Sequence, residues 1–226
     1  MKRIYVIIPA RSGSVGVTDK NILPVLGVPI IVRAYRVACS LPHDVRVIVS
    51  TDSSQYLRLV QKEGYSDLAL RPTKLSTSSA FVIDTIQYEL DRVGASNDDL
   101  IALLEPSFVG RRYPNLCKAI DMVNNNKADS CLGVYPVPAA FQLTKQFVRN
   151  NEGVKFIGPA NVNRQQLPLS YVRSGEFYLS RVGLIREEQS LLGGRLEMLE
   201  TALPFVNIDS VEDVERAINI PEKALD

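Results

Sequence analysis

The sequence has little of what several large classes of protein need. It contains a single histidine, His43, beside Pro42 in a loop-like stretch, which argues against histidine-based triads and zinc sites. Its three cysteines, Cys39, Cys117 and Cys131, stand far apart with no metal-ligand spacing. They read as buried free thiols in a reducing compartment. Charge is nearly balanced, 26 Lys and Arg against 25 Asp and Glu, so the basic excess of a general nucleic-acid or membrane-surface binder is missing. No apolar run is long enough to cross a bilayer, and the start lacks the pattern of a secretory signal. Internal repeats and low-complexity tracts are absent. These absences leave a soluble cytoplasmic protein. With 226 residues, 46% of them hydrophobic, the chain has ample material for one large α/β domain.

What is present is organised around the first stretch. Ile4-Tyr5-Val6-Ile7-Ile8 is a continuous apolar run with β-branched residues, the pattern of a buried strand in a parallel sheet. It breaks at Pro9 into a loop, Ala10-Arg11-Ser12-Gly13-Ser14-Val15-Gly16, followed by Asp19-Lys20-Asn21. Glycines let such a loop turn several N–H groups towards one point, a concavity suited to phosphate oxygens. Arg11 and Lys20 supply the charge a polyphosphate requires. The loop is neither a Walker A motif nor a dinucleotide fingerprint, because it lacks Gly-Lys-Ser/Thr and Gly-x-Gly-x-x-Gly. A plain tight turn remains the competing reading.

Strand and helix signals then alternate, the mark of a parallel, doubly wound sheet. Helices are expected over Pro29–Leu41, Ser53–Glu63 (stopped by Gly64), a stretch ending near Val93, and Asn115–Asn124. Strands are expected over Val45–Val49, Asp67–Leu70, Leu100–Leu104 and Ser130–Tyr135. Ser76 to Ser79 is rich in residues that cap a helix start. From Pro136 the rhythm weakens, and residues 137–170 read as an inserted arm facing a partner. Tyr171–Leu179 and Leu203–Ile208 return to strand character, and Ser210 with Asp213 opens a terminal helix in capping style. In open α/β sheets ligands bind beyond the carboxyl ends of the strands, where strand order reverses. The loops expected there carry Arg11, Lys20, Asp52, Arg71, Glu105, Ser107 and Asp209.

The opening loop with Asp19-Lys20-Asn21 resembles the signature of the CMP-sugar-acid synthetases. These are the acylneuraminate cytidylyltransferases and the related enzymes acting on Kdo, legionaminic acid and pseudaminic acid. Further matches follow in order: Ser50-Thr51-Asp52, Arg71-Pro72, Leu104-Glu105-Pro106-Ser107, Arg164-Gln165-Gln166-Leu167-Pro168, Gly175 to Tyr178, and Val206-Asn207-Ile208-Asp209 with Glu212-Asp213. Together they span almost the whole chain. The resemblance implies a Rossmann-like, mostly parallel doubly wound sheet of the GT-A-like nucleotidyltransferase kind, with a small dimerisation arm that completes the partner's sugar pocket. It implies a reaction joining CTP to a keto-sugar acid, giving the CMP-sugar and pyrophosphate with Mg2+ as cofactor.

On this resemblance Arg11, Lys20 and Asp209 carry catalysis. Nucleotide contacts fall to Arg11, Ser12, Gly13, Ser14, Gly16, Lys20, Asn21, Arg71, Ser79 and Ser107, with Arg71 near the cytosine. Glu105, Arg164, Gln165, Gly175 and Tyr178 face the sugar, where a guanidinium can grip a carboxylate through two hydrogen bonds. Asp209 and Asn207 hold the metal, a hard cation that prefers oxygen ligands. The plainer alternatives are a partner-contact Arg164, a core Tyr178 and a helix-start acid at Asp209. Several positions depart from the family: Val15 stands where a lysine is usual, Glu105 replaces a glutamine, and Asn207 replaces one carboxylate of an Asp-x-Asp pair. Ser174-Gly175-Glu176 replaces Asn-Gly-Ala, and Ser78-Ser79-Ala80-Phe81 replaces an Asp-Thr-Ala-Ser-like stretch. Two readings therefore stay open, a synthetase with an unusual acceptor and a non-catalytic homologue that binds nucleotide as a partner or regulator.

Overall fold

A computed structural model describes residues 2–13, 16–158, 169–221 and 223. In Ile4–Pro9 (β1), Ile4, Val6 and Ile8 pack on one face while Tyr5 and Ile7 pack on the other. A strand apolar on both faces belongs in the middle of a sheet covered on both sides. After β1 come β2 (Pro24–Val25), β3 (Val28–Pro29), α1 (Ile30–Cys39), β4 (Val45–Ser50), α2 (Ser54–Gln61), α3 (Val82–Arg92) and β5 (Leu100–Leu103). Then follow β6 (Phe108–Val109), α4 (Tyr113–Asn124), β7 (Ser130–Pro136), β8 (Phe147–Asn150) and β9 (Gly153–Phe156). The chain continues through β10 (Tyr171–Arg181), α5 (Val182–Glu188), β11 (Leu196–Glu200), β12 (Val206–Asn207) and α6 (Val211–Ile218).

The central sheet has six strands in the order β11-β7-β10-β5-β1-β4. β4 and β5 both lie parallel to β1, and β11 lies parallel to β7. β10 runs antiparallel to both its neighbours. The expected mostly parallel, doubly wound sheet is thus observed, with β10 as its reversed member. Helices α1, α2 and α4 cover the Val6 face through Ile31, Leu57 and Ile120, and α3 and α5 cover the Tyr5 face through Ile86, Leu90 and Ile185. The chain moves from β1 outward to β4, then returns to place β5 on the other side of β1. Strand order reverses between β1 and β5, so their carboxyl-end loops flank a crevice.

Two short ladders carry the end of the chain into that crevice. β12 pairs antiparallel with β6, setting Asn207 opposite Phe108 and Val206 opposite Val109. Ile208 N–H donates to the Ser107 carbonyl at 2.9 Å. A third apolar cluster, including Val109, Val206, Ile208 and Ala217, seals this attachment. Helix α6 starts in the expected capping box: the Ser210 side chain accepts from Asp213 N–H, and the Asp213 carboxylate accepts from Ser210 N–H.

Some expectations are corrected. Residues 67–70 form no strand; β4 is the edge of the sheet, and the following segment is tied back to it by Arg71 N–H donating to the Thr51 carbonyl. The serines at 76–79 do not cap α3, which begins after Phe81 with no side-chain cap. Ser76 is instead bonded to Arg71. Of the three cysteines only Cys131 is buried, Cys39 being exposed and Cys117 intermediate. Helix α5 and strand β11 carry no expectation from the sequence. Within the 137–170 stretch the described residues form a β8–β9 hairpin. Its Phe147 and Phe156 rings meet at 4.3 Å between centroids. Among the described residues no helix is long and apolar enough to cross a membrane.

Candidate active site

The loop after β1 is held from three sides. The Asp52 carboxylate, just beyond β4, accepts from Ser12 N–H at 2.8 Å and from the Ser12 hydroxyl at 2.7 Å. Burial alone would raise the Asp52 carboxyl, but the Ser12 donors and the charge of Arg71 outweigh it and leave it below its ordinary value. Asn21, buried, donates to the Arg11 carbonyl at 3.0 Å. The Tyr56 hydroxyl donates to Asp19 at 2.9 Å, holding a residue whose backbone is left-handed. The Arg11 guanidinium donates to the Gly13 carbonyl at 3.0 Å. Ser12, Gly13 and Asn21 therefore shape the loop through their own bonds, and Arg11 projects from it.

The carboxyl-terminal segment meets this loop directly. Lys20 Nζ lies 2.9 Å from Asp209 Oδ1, joining residues 189 positions apart. A Cβ on Gly16 would stand 2.7 Å from the Asp209 carbonyl oxygen, so only glycine permits this approach. Together these loops enclose a cleft of about 560 Å³, whose polar lining includes Arg11, Lys20, Asn21, Arg71, Glu105, Ser107, Asn207 and Asp209. Gly16 lines it too, while Ser12 and Gly13 do not. The Ser79 hydroxyl faces Thr77 at 3.2 Å, and it is Thr77, with Thr85, that lines the cleft. Ser14, Arg164 and Gln165 lie outside the described residues.

Arg71 sits on the inner wall of this cleft. It is buried, donating to Ser76 at 3.1 Å and approaching Thr85 at 3.5 Å. Burial lowers its pKa, against the opposing pull of Asp52 and Glu89. Glu89, 2% exposed, accepts from the Ser50 hydroxyl at 2.6 Å and pairs with Arg92 at 2.7 Å. Arg71 thus belongs to the cleft and to a buried polar network behind it.

At the far end stands Glu105. Burial pushes its carboxyl up, while Arg111 and Lys20 pull it down and Asp209 adds to the rise. Behind it β10 bulges between Arg173 and Tyr178. A Cβ on Gly175, at φ 84°, would crowd Asn207 Nδ2 at 3.2 Å and Glu105 Oε2 at 3.4 Å. Gly175 therefore acts by giving room. Tyr178 lines a second cavity of about 240 Å³ that shares Glu105 and Val82 with the cleft.

Two residues absent from the sequence-based assignment matter here. Arg111, 3% exposed, donates from Nε to the Glu176 carbonyl and from Nη2 to the Glu105 carbonyl, both at 2.6 Å. It locks the β5 loop to the β10 bulge, and burial lowers its pKa to about 10. Arg173 lines the second cavity. Arg111 stands four residues beyond the Leu104-Glu105-Pro106-Ser107 match, and nothing in the sequence distinguishes a buried clamp from a surface charge.

The donor set suits a divalent cation. Asn207 Oδ1 is buried with no hydrogen-bond partner, and Asp209 offers a largely exposed carboxylate beside it in the cleft. A buried acceptor without a donor is costly unless a ligand satisfies it. Mg2+ takes one or two protein oxygens and completes its shell with phosphates and water. Among the described residues no three His, Cys, Asp or Glu side chains group closely enough to hold a metal alone.

With this geometry in hand, residues 5–108 match the family model described as Cytidylyltransferase. Over that stretch the chain is similar to the cytidylyltransferases. It is 32% identical over 132 residues to an N-acylneuraminate cytidylyltransferase of Escherichia coli, a match covering 58% of this chain and 30% of that protein. It is also 25% identical over 221 residues to a pseudaminic acid cytidylyltransferase of Campylobacter jejuni, covering 93% of each. It spans 30 to 50% of the length of the first three curated relatives it matches. A solved CMP:2-keto-3-deoxy-manno-octonic acid synthetase complexed with CTP shares the fold at a TM-score of 0.71 and 17% identity, covering 96% of this chain and 97% of that one.

Proposed function

We propose that the protein is a cytidylyltransferase that joins CTP to a keto-sugar acid, giving the CMP-sugar and pyrophosphate. The observation that carries this reading is the Lys20–Asp209 pair at 2.9 Å. Cation and carboxylate from opposite ends of the chain stand in one cleft with Arg11 and Arg71, at the reversal of strand order where nucleotides bind. Nucleotidyl transfer asks little covalent chemistry of a protein; it needs alignment and charge neutralisation. Arg11 and Lys20 hold the outer phosphates and favour pyrophosphate as it leaves. Arg71 and Ser107 orient the nucleoside end. Asn207 and Asp209 hold Mg2+, which supplies further neutralisation of the triphosphate. The named activities of the relatives support the same reaction class. A cytoplasmic setting, where CTP is made, fits the reading.

Pyrophosphate release on mixing the protein with CTP, Mg2+ and a panel of keto-sugar acids tests the proposal. Release with one or more acids is expected, and CTP binding with no release from any would reject it in favour of a nucleotide-binding regulator. Arg11→Ala and Lys20→Ala are expected to weaken CTP binding about tenfold to a hundredfold, from the loss of a charged hydrogen bond. CMP binding should change by less than threefold, because both cations are aimed beyond the α-phosphate. Calorimetric titration with the two nucleotides checks this, and equal losses would show the cations to be placed elsewhere.

The second part of the proposal is a homodimer formed through the arm. Phe141, Phe147, Val154, Phe156 and Leu169 are each 48 to 78% exposed, more apolar surface in one region than a monomer ordinarily leaves to water. Light scattering at micromolar concentration should give twice the chain mass, and Phe147→Glu with Phe156→Lys should return it to one. A wild-type monomer would reject this.

A further inference from the structure

One short stretch grips the polar loop after β1 at both ends. Asp52 accepts from Ser12 near the loop's start, and the Tyr56 hydroxyl donates to Asp19 Oδ1 at 2.9 Å near its finish. Tyr56 stands in the first turn of α2, where its own N–H donates to the capping Ser53 hydroxyl. Its ring is 1% exposed and packs in the apolar cluster on the Val6 face, so the hydroxyl has a fixed origin. Burial and the charges of Asp19 and Asp52 push its pKa up. The phenol therefore keeps its proton and acts as a donor.

Asp19 is the residue at which the backbone turns. Its φ of 51° and ψ of 32° are left-handed, a conformation that strains a residue carrying a Cβ. Its carbonyl accepts from Ile22 N–H at 2.9 Å, opening the tight turn Lys20–Ile22. An aspartate in this place commonly caps the turn it opens, but the Asp19 carboxylate makes no such bond and faces Tyr56 instead. The turn sends Lys20 into the cleft, with Nζ 2.9 Å from Asp209.

We propose that Tyr56 is a positioning residue for the triphosphate, tethering Asp19 in its left-handed turn and thereby aiming Lys20 at the outer phosphates. The proposal rests on the nucleotide reading above and adds to it a residue outside the cleft lining. Without the tether the Asp19 backbone relaxes into other conformations, and fewer molecules present Lys20 correctly. Apparent affinity falls with that fraction. Glycine at position 19 would need no tether, because left-handed backbone carries no Cβ penalty for it. The Tyr56 hydroxyl should thus matter only while residue 19 bears a side chain and residue 20 is lysine.

Calorimetric titration of the full chain with CTP and with CMP, in the presence of Mg2+, tests this. Tyr56→Phe keeps the ring in the core and removes only the hydroxyl. It is expected to weaken CTP binding about fivefold and to leave CMP binding within about twofold. Placed on Lys20→Ala or on Asp19→Gly, the same substitution should cost less than about twofold more, the non-additivity of residues that act as one unit. Asp19→Ala, which keeps a Cβ and loses the carboxylate, should weaken CTP as Tyr56→Phe does. CTP binding unmoved by Tyr56→Phe, equal losses for the two nucleotides, or an undiminished loss with Lys20 or Asp19 already replaced would make Tyr56 a packing residue. Any of these would overturn the assignment and leave the nucleotide site standing. A wild-type chain that binds no CTP would overturn the nucleotide reading, and this assignment with it.

Discussion

Asp209→Asn is expected to lower kcat for pyrophosphate release by about 10²- to 10³-fold, the range for removing one preorganised electrostatic partner of a transition state. The Asp209 side chain is 73% exposed, so its pairing with Lys20 is a solvated one, worth about 0–1 kcal/mol to the fold. Thermal denaturation should therefore move by no more than a few degrees. Retained turnover would show that the metal is held by other groups. A large loss of stability with little change in the residual rate would instead give Asp209 the role of a helix-start acid, next to the Ser210–Asp213 capping box. Titrating Mg2+ separates these outcomes further, because a lost metal ligand raises the concentration needed for half-maximal rate while a lost helix cap does not.

Arg111→Met is expected to have the largest effect on stability, about 3–5 kcal/mol. The guanidinium is buried where the β5 loop meets the β10 bulge, bonded to two carbonyls at 2.6 Å and lying 5.3 Å from the centre of the Phe108 ring. Methionine fills similar space and makes no hydrogen bond, leaving the Glu105 and Glu176 carbonyls without this donor. It also removes the cation beside Glu176, which is 1% exposed and accepts from Arg112 N–H, Asn115 and Thr201. For a chain of this length the midpoint should fall by roughly 6 to 20 °C. Scanning calorimetry checks it, and a shift under 2 °C would show that the bulge is held by its ladder alone. The nucleotide site should suffer with the fold, since Asn207 and Glu105 both back onto Gly175 in that bulge.

The parts of the molecule that were legible in the sequence share a cause. β1 and β5 are interior strands with uninterrupted apolar runs, and β4, at the edge, keeps four apolar residues around Arg46; the polar residues that line the crevice follow their carboxyl ends. Arg11, Arg71, Glu105 and Asp209 could therefore be assigned to one region from strand ends alone. Elements that were missed give weaker signals. β11, at the sheet edge, buries only Leu199 within Leu-Glu-Met-Leu-Glu, so its pattern resembles a solvated segment. α5 has seven residues with a glycine second and follows β10 without a break. The stretch at 67–70 alternates Leu68 and Leu70 with smaller residues but has no neighbouring strand to bond with, and an alternating pattern alone cannot supply one. Ser79 illustrates the remaining limit, since a hydroxyl at the right place in a motif faced its neighbour while Thr77 and Thr85 took the cleft. Arg111 and Arg173 are both arginines near motif residues, and only burial told a clamp from a contact.

The ladder that ties β12 to β6 has a consequence for how the protein comes into being. Because residue 209 supplies the carboxylate that meets Lys20, that pair forms only after a segment 189 residues further along has been made and folded back onto the first loop. An emerging chain whose first strands have already formed still lacks this pairing until residue 209 arrives.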